Sequence, residues 1–334
     1  MPFGIDILED EIKSWGHEIL ETLLCDRTTD ENIIWATDDY ALMGDGYGFK
    51  DQITMEKVTG EHGNLIQPRV VKARDKQFER TKVMAEVFTP SWVCNSMANL
   101  IDHAWFGRKD VFNIEDTPNQ TWEPTTERIT FPEGKSWQEY VTDNYLEYTC
   151  GEAPFLASRY DTVTGEQIPI ERRIGVLDRK MRIVNENVTT DDEWLLWTQK
   201  AFKSTYGYEW QGDNLLLARE SLLASFADYF EARFGCAPSA DDFAFIAYIL
   251  SWNLWQMDGL KCVIPRTCHD ETIIKQGLFE DEVEVRPCEG CAKRDYHRHN
   301  GIYSIIRNWT PSEQLYCKEG ETLRFVDLSK LEKK

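Results

Sequence analysis

The stretch YLEYTCGEAPFLASRYD, residues 145–161, decides how this chain is read. Tyr145–Thr149 is a short β-rich run, CGEA a turn of small residues, and PFLASRY the expected start of a helix. A strand that turns sharply into a helix offers unpaired N–H groups and close backbone approach at the strand's end. Open α/β sheets receive nucleotide-like ligands there. Cys150, Gly151 and Ala153 are small enough to permit that approach, and Glu147 sets a carboxylate beside it. A strand–turn–helix without any ligand has the same pattern, so its meaning depends on the flanking sequence.

Downstream, residues 213–234 predict a helix with Leu216, Leu223, Phe226, Phe230 and Phe234 on its apolar side and Gly235 as its stop. A second helix opens at Ser239, with Asp242 three residues on in a variant capping box, and is apolar nearly all round, which predicts burial. NLWQMDG (253–259) reads as a short strand closing at Asp258, and IYSII (302–306) as another. Upstream, Thr89 is the expected N-cap and Pro90 the first helical position, with Val93, Met97, Leu100 and Ile101 following at helical spacing. Residues 107–144, with three prolines, and 40–63, rich in Gly and Asp, predict irregular chain. Ile5, Leu8, Ile12, Trp15, Ile19 and Leu23 form one stripe of an amphipathic helix, packed on its own domain or on a partner helix. Strands alternating with helices point to a doubly wound α/β sheet.

The 334 residues suffice for one large α/β domain with extensions, or for two modest domains. No run of 18 apolar residues occurs, so no membrane span is expected, and the acidic, periodic N-terminus is unlike a secretory signal. The expected location is cytoplasmic. Nine cysteines, an odd number spread through a large chain, argue against a disulfide framework. The net charge of −21 is awkward for a protein that grips DNA alone. Two basic stretches run against it. Arg69, Lys72, Arg74, Lys76, Arg80 and Lys82 form one, and Arg172, Arg173, Arg179, Lys180 and Arg182 the other. Each reads as a solvated face or as a surface for DNA or an acidic partner.

EVFTPSWVCNSM (86–97) resembles the segment that precedes the cofactor loop in adenine-specific DNA methyltransferases of type I and fused type II restriction-modification systems. LEYTCGEAPFL (146–156) resembles their Asp-Pro-Ala-Cys-Gly-Ser-Gly-x-Phe-Leu loop. Glu147 stands at the Asp, Cys150, Gly151, Phe155 and Leu156 match, Tyr148 replaces Pro, and Ala153 replaces the second Gly. NLWQMDG resembles their Asn-x-x-Gly-x-Asp, with Gln256 at the Gly and Asp258 at the acidic position. SIIRNW sets Asn308 where the family often has an adenine-contacting Asp. The matches run in family order over roughly residues 80–328, closely over about 40 of them.

The resemblance implies an α/β, Rossmann-like S-adenosylmethionine-dependent methyltransferase domain at 81–334, incomplete, behind a helical, basic N-terminal extension at 1–80. Thr89, Glu147, Cys150, Gly151, Ala153, Phe155, Asp258 and Asn308 would line the cofactor, with Glu147 toward its ammonium, the 150–156 turn toward its carboxylate and Asp258 toward its ribose. The family transfers the methyl group through an (Asn/Asp)-Pro-Pro-(Tyr/Phe) motif that holds the flipped base. No Pro-Pro pair occurs in this sequence. The last strand-like run, Arg324–Leu328, stands where that motif should soon follow. The implied protein is therefore the cofactor-binding subunit of a DNA adenine methyltransferase, inactive without a second polypeptide that carries catalysis and DNA recognition. Its alternatives are a methyltransferase of RNA or protein, and a silent binding or scaffold protein that kept the fold.

The Cys/His-rich insertion at about 262–299 has its own chemistry. CEGCAKRDYHRH offers Cys288, Cys291, His297 and His299 as a tetrahedral zinc set, in which Cys262, Cys268 or His269 could replace either His. Such a zinc would be structural, because four protein ligands leave no open position. Reduced surface thiols without metal are the alternative.

Overall fold

The computed structural model describes residues 4–72, 89–276 and 282–328. The N-terminal part comprises α1 (Glu9–Trp15), α2 (His17–Leu24), a hairpin of β1 (Cys25–Asp26) and β2 (Glu31–Asn32), and one turn of helix, α3 (Met55–Val58). Then come α4 (Ser91–Phe106), a hairpin of β3 (Asn113–Asp116) and β4 (Thr121–Pro124), α5 (Trp137–Thr142) and β5 (Tyr145–Glu147). α6 (Val176–Asn187), α7 (Asp191–Lys203), β6 (Thr205–Glu209), α8 (Gly212–Phe234), α9 (Ala240–Asn253) and β7 (Leu254–Gln256) follow. The last elements are β8 (Glu271–Lys275), β9 (Glu282–Arg286), α10 (Glu289–Lys293), β10 (Ile305–Trp309) and β11 (Gly320–Arg324).

β5, β6 and β7 form a parallel sheet in that spatial order, with Leu146 opposite Tyr206 and Tyr208 opposite Trp255. The two-residue strand period sets Leu146, Tyr206, Tyr208 and Trp255 on one face, and Gly207 and Leu254 on the other. α8 and α9 pack on the second face in the main core. Among the described residues no α-helix packs on the first face. The antiparallel β10–β11 pair covers it, with Ile306 and Leu323, followed by Phe325 and Val326. This corrects the doubly wound expectation, and strand order explains it. Right-handed crossovers that always step in one direction put every connecting helix on the same face. Filling the other face needs a reversal of strand order, and no strand among the described residues pairs with the outer edge of β5.

α8 and α9 follow the sequence closely. Gly235 ends α8 in the left-handed region (φ 70°). Ser239 accepts from the Asp242 amide, and Asp242 accepts from the Ser239 amide at 3.0 Å. Ser239→Ala should cost about 1 kcal/mol in urea unfolding through loss of that cap; an unchanged midpoint would mean the cap is replaceable.

Other expectations shift. The stripe at 5–24 is two helices broken at Gly16, and α2 packs on α9 of the same chain. The rest of the extension is largely non-helical and shares one core with the remainder of the protein, from Ile12 and Trp35 to Leu216 and Phe226. Residues 107–144 hold a hairpin and α5 rather than irregular chain alone. IYSII is displaced to β10, outside the parallel sheet, and β11 ends at Arg324 before a 3-10 turn. PFLASRY does not begin a helix; it turns back so that Phe155 and Leu156 carbonyls accept from Val176 and Leu177, the first residues of α6.

α4 is inverted. Pro90, not Thr89, occupies its N-cap position. Met97, Leu100 and Ile101 are 49%, 69% and 45% exposed, whereas Asn95 and Asp102 are buried. The inward face mixes Cys94, Ala98 and Phe106 with polar residues that meet a buried network: Arg179 pairs with Asp102 and donates to Asn95 at 2.9 Å, and Tyr140 donates to Asp102 at 2.7 Å. The basic stretch 172–182 is likewise spent internally. Arg172 pairs with Glu123, Arg173 with Asp228, Arg179 with Asp102 and Arg182 with Glu186, while Lys180 donates to Ser204 at 2.7 Å. Arg173, Arg179 and Lys180 are therefore not part of a solvated basic face, while the Arg172–Glu123 pair is exposed. Of the other stretch, Arg74–Lys82 lie outside the described residues. No helix among the described residues is long and apolar enough to cross a membrane.

Candidate functional site

The C-terminal ends of three parallel strands form a mouth, and a strained turn crosses it. After β5 the chain stays attached to β6, the Cys150 amide donating to the Tyr208 carbonyl at 2.9 Å. Thr149, Gly151 and Ala153 then all adopt positive φ, at 51°, 56° and 60°. For Thr and Ala this costs on the order of 1 kcal/mol each, and such strain collects where backbone is held for a ligand. Cys150 is buried against Gly207, where an added Cβ would lie 3.2 Å from its sulfur, and burial pushes its thiol far up. Glu152 fixes the turn from behind, accepting from the Arg69 amide at 2.6 Å and from the Tyr160 hydroxyl at 2.8 Å.

Two carboxylates face this turn. Glu209, the last residue of β6, accepts from the Gly151 amide at 2.9 Å and from the Gln211 amide at 3.3 Å. Burial raises its carboxyl above the usual range, and these backbone amides partly restrain the rise. Glu147 ends the neighbouring strand. Its Oε2 is buried and has no hydrogen-bond partner among the described residues, and burial together with the Glu209 charge pushes its carboxyl well up. Such an orphaned acceptor calls for a donor or a cation. Sequence reasoning missed β6 and with it Glu209; the alternating TYGYE run between two helical stretches was the available signal.

Asp258 follows β7, on the far side of Glu209, whose carbonyl accepts from the Met257 amide at 2.9 Å. The outer strands of such a trio lie about 10 Å apart, and the backbones of the three acidic residues lie at the same, C-terminal end of the sheet. The Asp258 carboxylate accepts from the Leu260 amide at 3.0 Å, closing its own turn. Thr89 sits apart from the turn, its carbonyl accepting from Thr162 at 3.2 Å. Phe155 packs with Cys94, Trp122 and Ile168 in a satellite cluster. Asn308 is not at the mouth. It lines a cavity with Thr142, Asn144, Ser204 and Tyr206, at the opposite, N-terminal ends of β5 and β6. The adenine-contacting role is not consistent with that position, because β10 runs back over the sheet face instead of continuing the sheet.

A second constellation lies beyond β7. Cys268 Sγ is 3.4 Å from Cys288 Sγ, 3.6 Å from Cys291 Sγ and 3.4 Å from His299 Nδ1. His299 Nδ1 is 3.6 Å from Cys288 and 3.7 Å from Cys291. His297 is not part of it; its Nδ1 lies 3.7 Å from Asp327. Cys262 is buried in the cluster beneath β10, and His269 Nδ1 lies 2.8 Å from the Thr267 carbonyl. Of the sequence-expected ligands, Cys288, Cys291 and His299 come together, with Cys268 in place of His297.

No protein-family model matches this chain, and no curated protein or solved structure is significantly similar to it.

Proposed function

We propose that this chain is the S-adenosylmethionine-binding subunit of a DNA adenine methyltransferase of the restriction-modification kind, completed by a second polypeptide. The observation that carries the reading is the strained turn Thr149–Ala153, tied to Glu209 across parallel strand ends and lying beside half-buried Glu147, whose buried Oε2 has no hydrogen-bond partner among the described residues. The residues fit such a cofactor. Glu147 has an idle acceptor for the methionine ammonium, and binding that cation would draw its raised carboxyl back to the ionised form with release of a proton. Glu209, which accepts from the Gly151 and Gln211 amides, and Asp258, whose Oδ1 accepts from the Leu260 amide, are the two strand-end carboxylates that could accept from ribose hydroxyls. When bound, S-adenosylmethionine supplies an electrophilic methyl group; this chain's residues position it.

Three observations support a partner. The chain has no Pro-Pro pair. β5 pairs with β6 alone among the described residues, which leaves an outer edge for an added strand. α4, whose Cys94 lies close enough to Glu147 to feel its charge, turns Met97, Leu100 and Ile101 outward. The internal use of the 172–182 cations fits DNA recognition residing elsewhere.

Calorimetry with S-adenosylmethionine should give measurable binding by the isolated chain, weakened at least about 10-fold in Glu209→Ala, the loss of one or more buried hydrogen bonds to a charged acceptor. Methyl incorporation into DNA should appear only when a partner polypeptide is added. A folded wild-type chain that does not bind the cofactor, or one that methylates DNA alone, would overturn the corresponding half of the proposal.

A further inference from the structure

We propose that Cys268, Cys288, Cys291 and His299 bind one structural zinc ion. The site stands independently of the methyltransferase reading, since none of its residues belongs to the strand mouth. A tetrahedral zinc with Zn–S near 2.3 Å and Zn–N near 2.0–2.1 Å requires S···S separations of about 3.8 Å and S···N of about 3.6 Å. Five of the separations, 3.4–3.7 Å, lie within a few tenths of an ångström of these values, and all four donor atoms lie within 4.8 Å of one another. A disulfide would engage two of the three sulfurs and leave a thiol and an imidazole idle. Four near-equidistant donors match a metal better. Three thiolates and one imidazole favour zinc among common biological cations, and the complete protein ligand set leaves no place for water or substrate.

The surroundings are built for this geometry. Cys268 and Cys288 sit at the two feet of the β8–β9 hairpin, so that the metal clamps its base. Cys288 and Cys291 span the first turn of α10, with the Ala292 amide donating to the Cys288 carbonyl at 2.9 Å. Between them Gly290 passes so close to the His299 strand that an added Cβ would lie 2.6 Å from the His299 amide nitrogen and 2.7 Å from its Nδ1. Gly301 passes the Cys268 amide nitrogen as closely, at 2.8 Å. The His299 amide donates to the Tyr303 hydroxyl at 2.7 Å, and that hydroxyl donates to the Tyr296 carbonyl at 2.8 Å, fixing the segment that carries the imidazole. Such outer contacts orient metal ligands.

The clamp reaches the sheet. Val263 bridges both Asp258, next to β7, and Tyr303, next to the His299 loop. Ser304, at the start of β10, donates to the Gln256 carbonyl at 3.2 Å. Metal binding at 268–299 therefore secures the loop after β7 and the hairpin that covers the sheet. Folding and metal affinity are coupled in such sites.

Elemental analysis of the full chain, purified without a polyhistidine tag, should find close to one zinc per molecule. His297→Ala should retain it, while Cys268→Ser and Cys291→Ser should lose most of it. Should the cysteine variants fail to fold, two measurements on the wild-type chain remain decisive. Cobalt exchanged into the protein should give the intense visible bands of a tetrahedral thiolate site, and a chelator should lower the thermal midpoint in a way that added zinc reverses. Little or no zinc together with no such cobalt spectrum would overturn the site, as would iron in place of zinc. Full zinc retention by Cys268→Ser would overturn this ligand set.

Discussion

Arg219→Ala should destabilise the protein by at least about 3 kcal/mol, read as a large fall in the urea midpoint or as failure to accumulate folded chain. Arg219 is fully buried in α8, and its guanidinium donates only to backbone carbonyls among the hydrogen bonds it makes. It bonds Leu254 at 2.6 and 3.0 Å, Ser251 at 3.3 Å, Cys25 at 3.0 Å, and Leu23. These carbonyls belong to the C-terminal ends of two helices, α2 and α9, where partial negative charge collects and acceptors lack intrahelical partners. One planar cation thus caps both and fastens them to a third helix. Burial pulls its pKa down to about 10, so it remains charged at neutral pH, with Asp26 partly offsetting the desolvation. Each carbonyl left unsatisfied costs about 1–3 kcal/mol, though not additively. Arg219→Met keeps most of the volume and should cost nearly as much, which separates lost hydrogen bonds from a cavity. Arg219→Lys should not rescue it, since one ammonium cannot replace the fork. A loss below about 1 kcal/mol in either apolar variant would place it within the range of ordinary surface substitutions and refute the double-cap account.

Much of this architecture was legible because its signals are local. Gly235 and the Ser239–Asp242 box bound α8 and α9 through chemistry confined to a few residues, and the small residues of 150–153 mark the turn. What was not legible depends on distant partners. β6 is five residues long, and its glycine and tyrosines lack the aliphatic alternation of a typical strand, so Glu209 went unnoticed. α4 has a correct helical period, yet its apolar stripe faces outward because Arg179, far along the chain, requires Asn95 and Asp102 on the inside. The cations Arg173 and Arg179 read as surface because sequence does not display Asp228 or Asp102 beside them. Spacing likewise could not choose Cys268 over His297, since the β8–β9 hairpin alone brings residue 268 back to 288. Asn308 failed for the same reason: its segment resembles a strand, but only tertiary pairing decides that it lies over the sheet rather than in it.

Stability should fall as pH rises from 5 to 7, and Glu9→Gln should remove a large share of that fall. Glu9, in the first turn of α1, and Glu220, in α8, are 1% and 2% exposed. Both carboxyl oxygens of Glu9 and Oε1 of Glu220 lack hydrogen-bond partners among the described residues. Burial, reinforced by the charges of Asp6 and Asp10, pushes the Glu9 carboxyl up to about 9; burial and the Glu9 charge push that of Glu220 well up. Glu9 is therefore protonated in the native state near neutrality, where an unfolded chain would ionise it, and the Glu220 carboxyl is shifted in the same direction. A carboxyl whose folded pKa is raised contributes its full stability below the unfolded value of 4.5 and loses it as pH climbs toward the folded value. Within that window the slope is about 1.4 kcal/mol per pH unit for each such group. Lys180 acts in the opposite sense above pH 7, because burial lowers its pKa to about 7; the range from pH 5 to 7 avoids that interference. Glu147 and Glu209 share the sign of Glu9, so the wild-type slope is a sum, and the difference between wild type and variant isolates one member. Glu9→Gln, neutral at every pH, should be about 2–3 kcal/mol less sensitive than wild type across those two units. Parallel urea-unfolding profiles for the two proteins would show that Glu9 ionises in the native state without penalty and would refute the buried-acid reading.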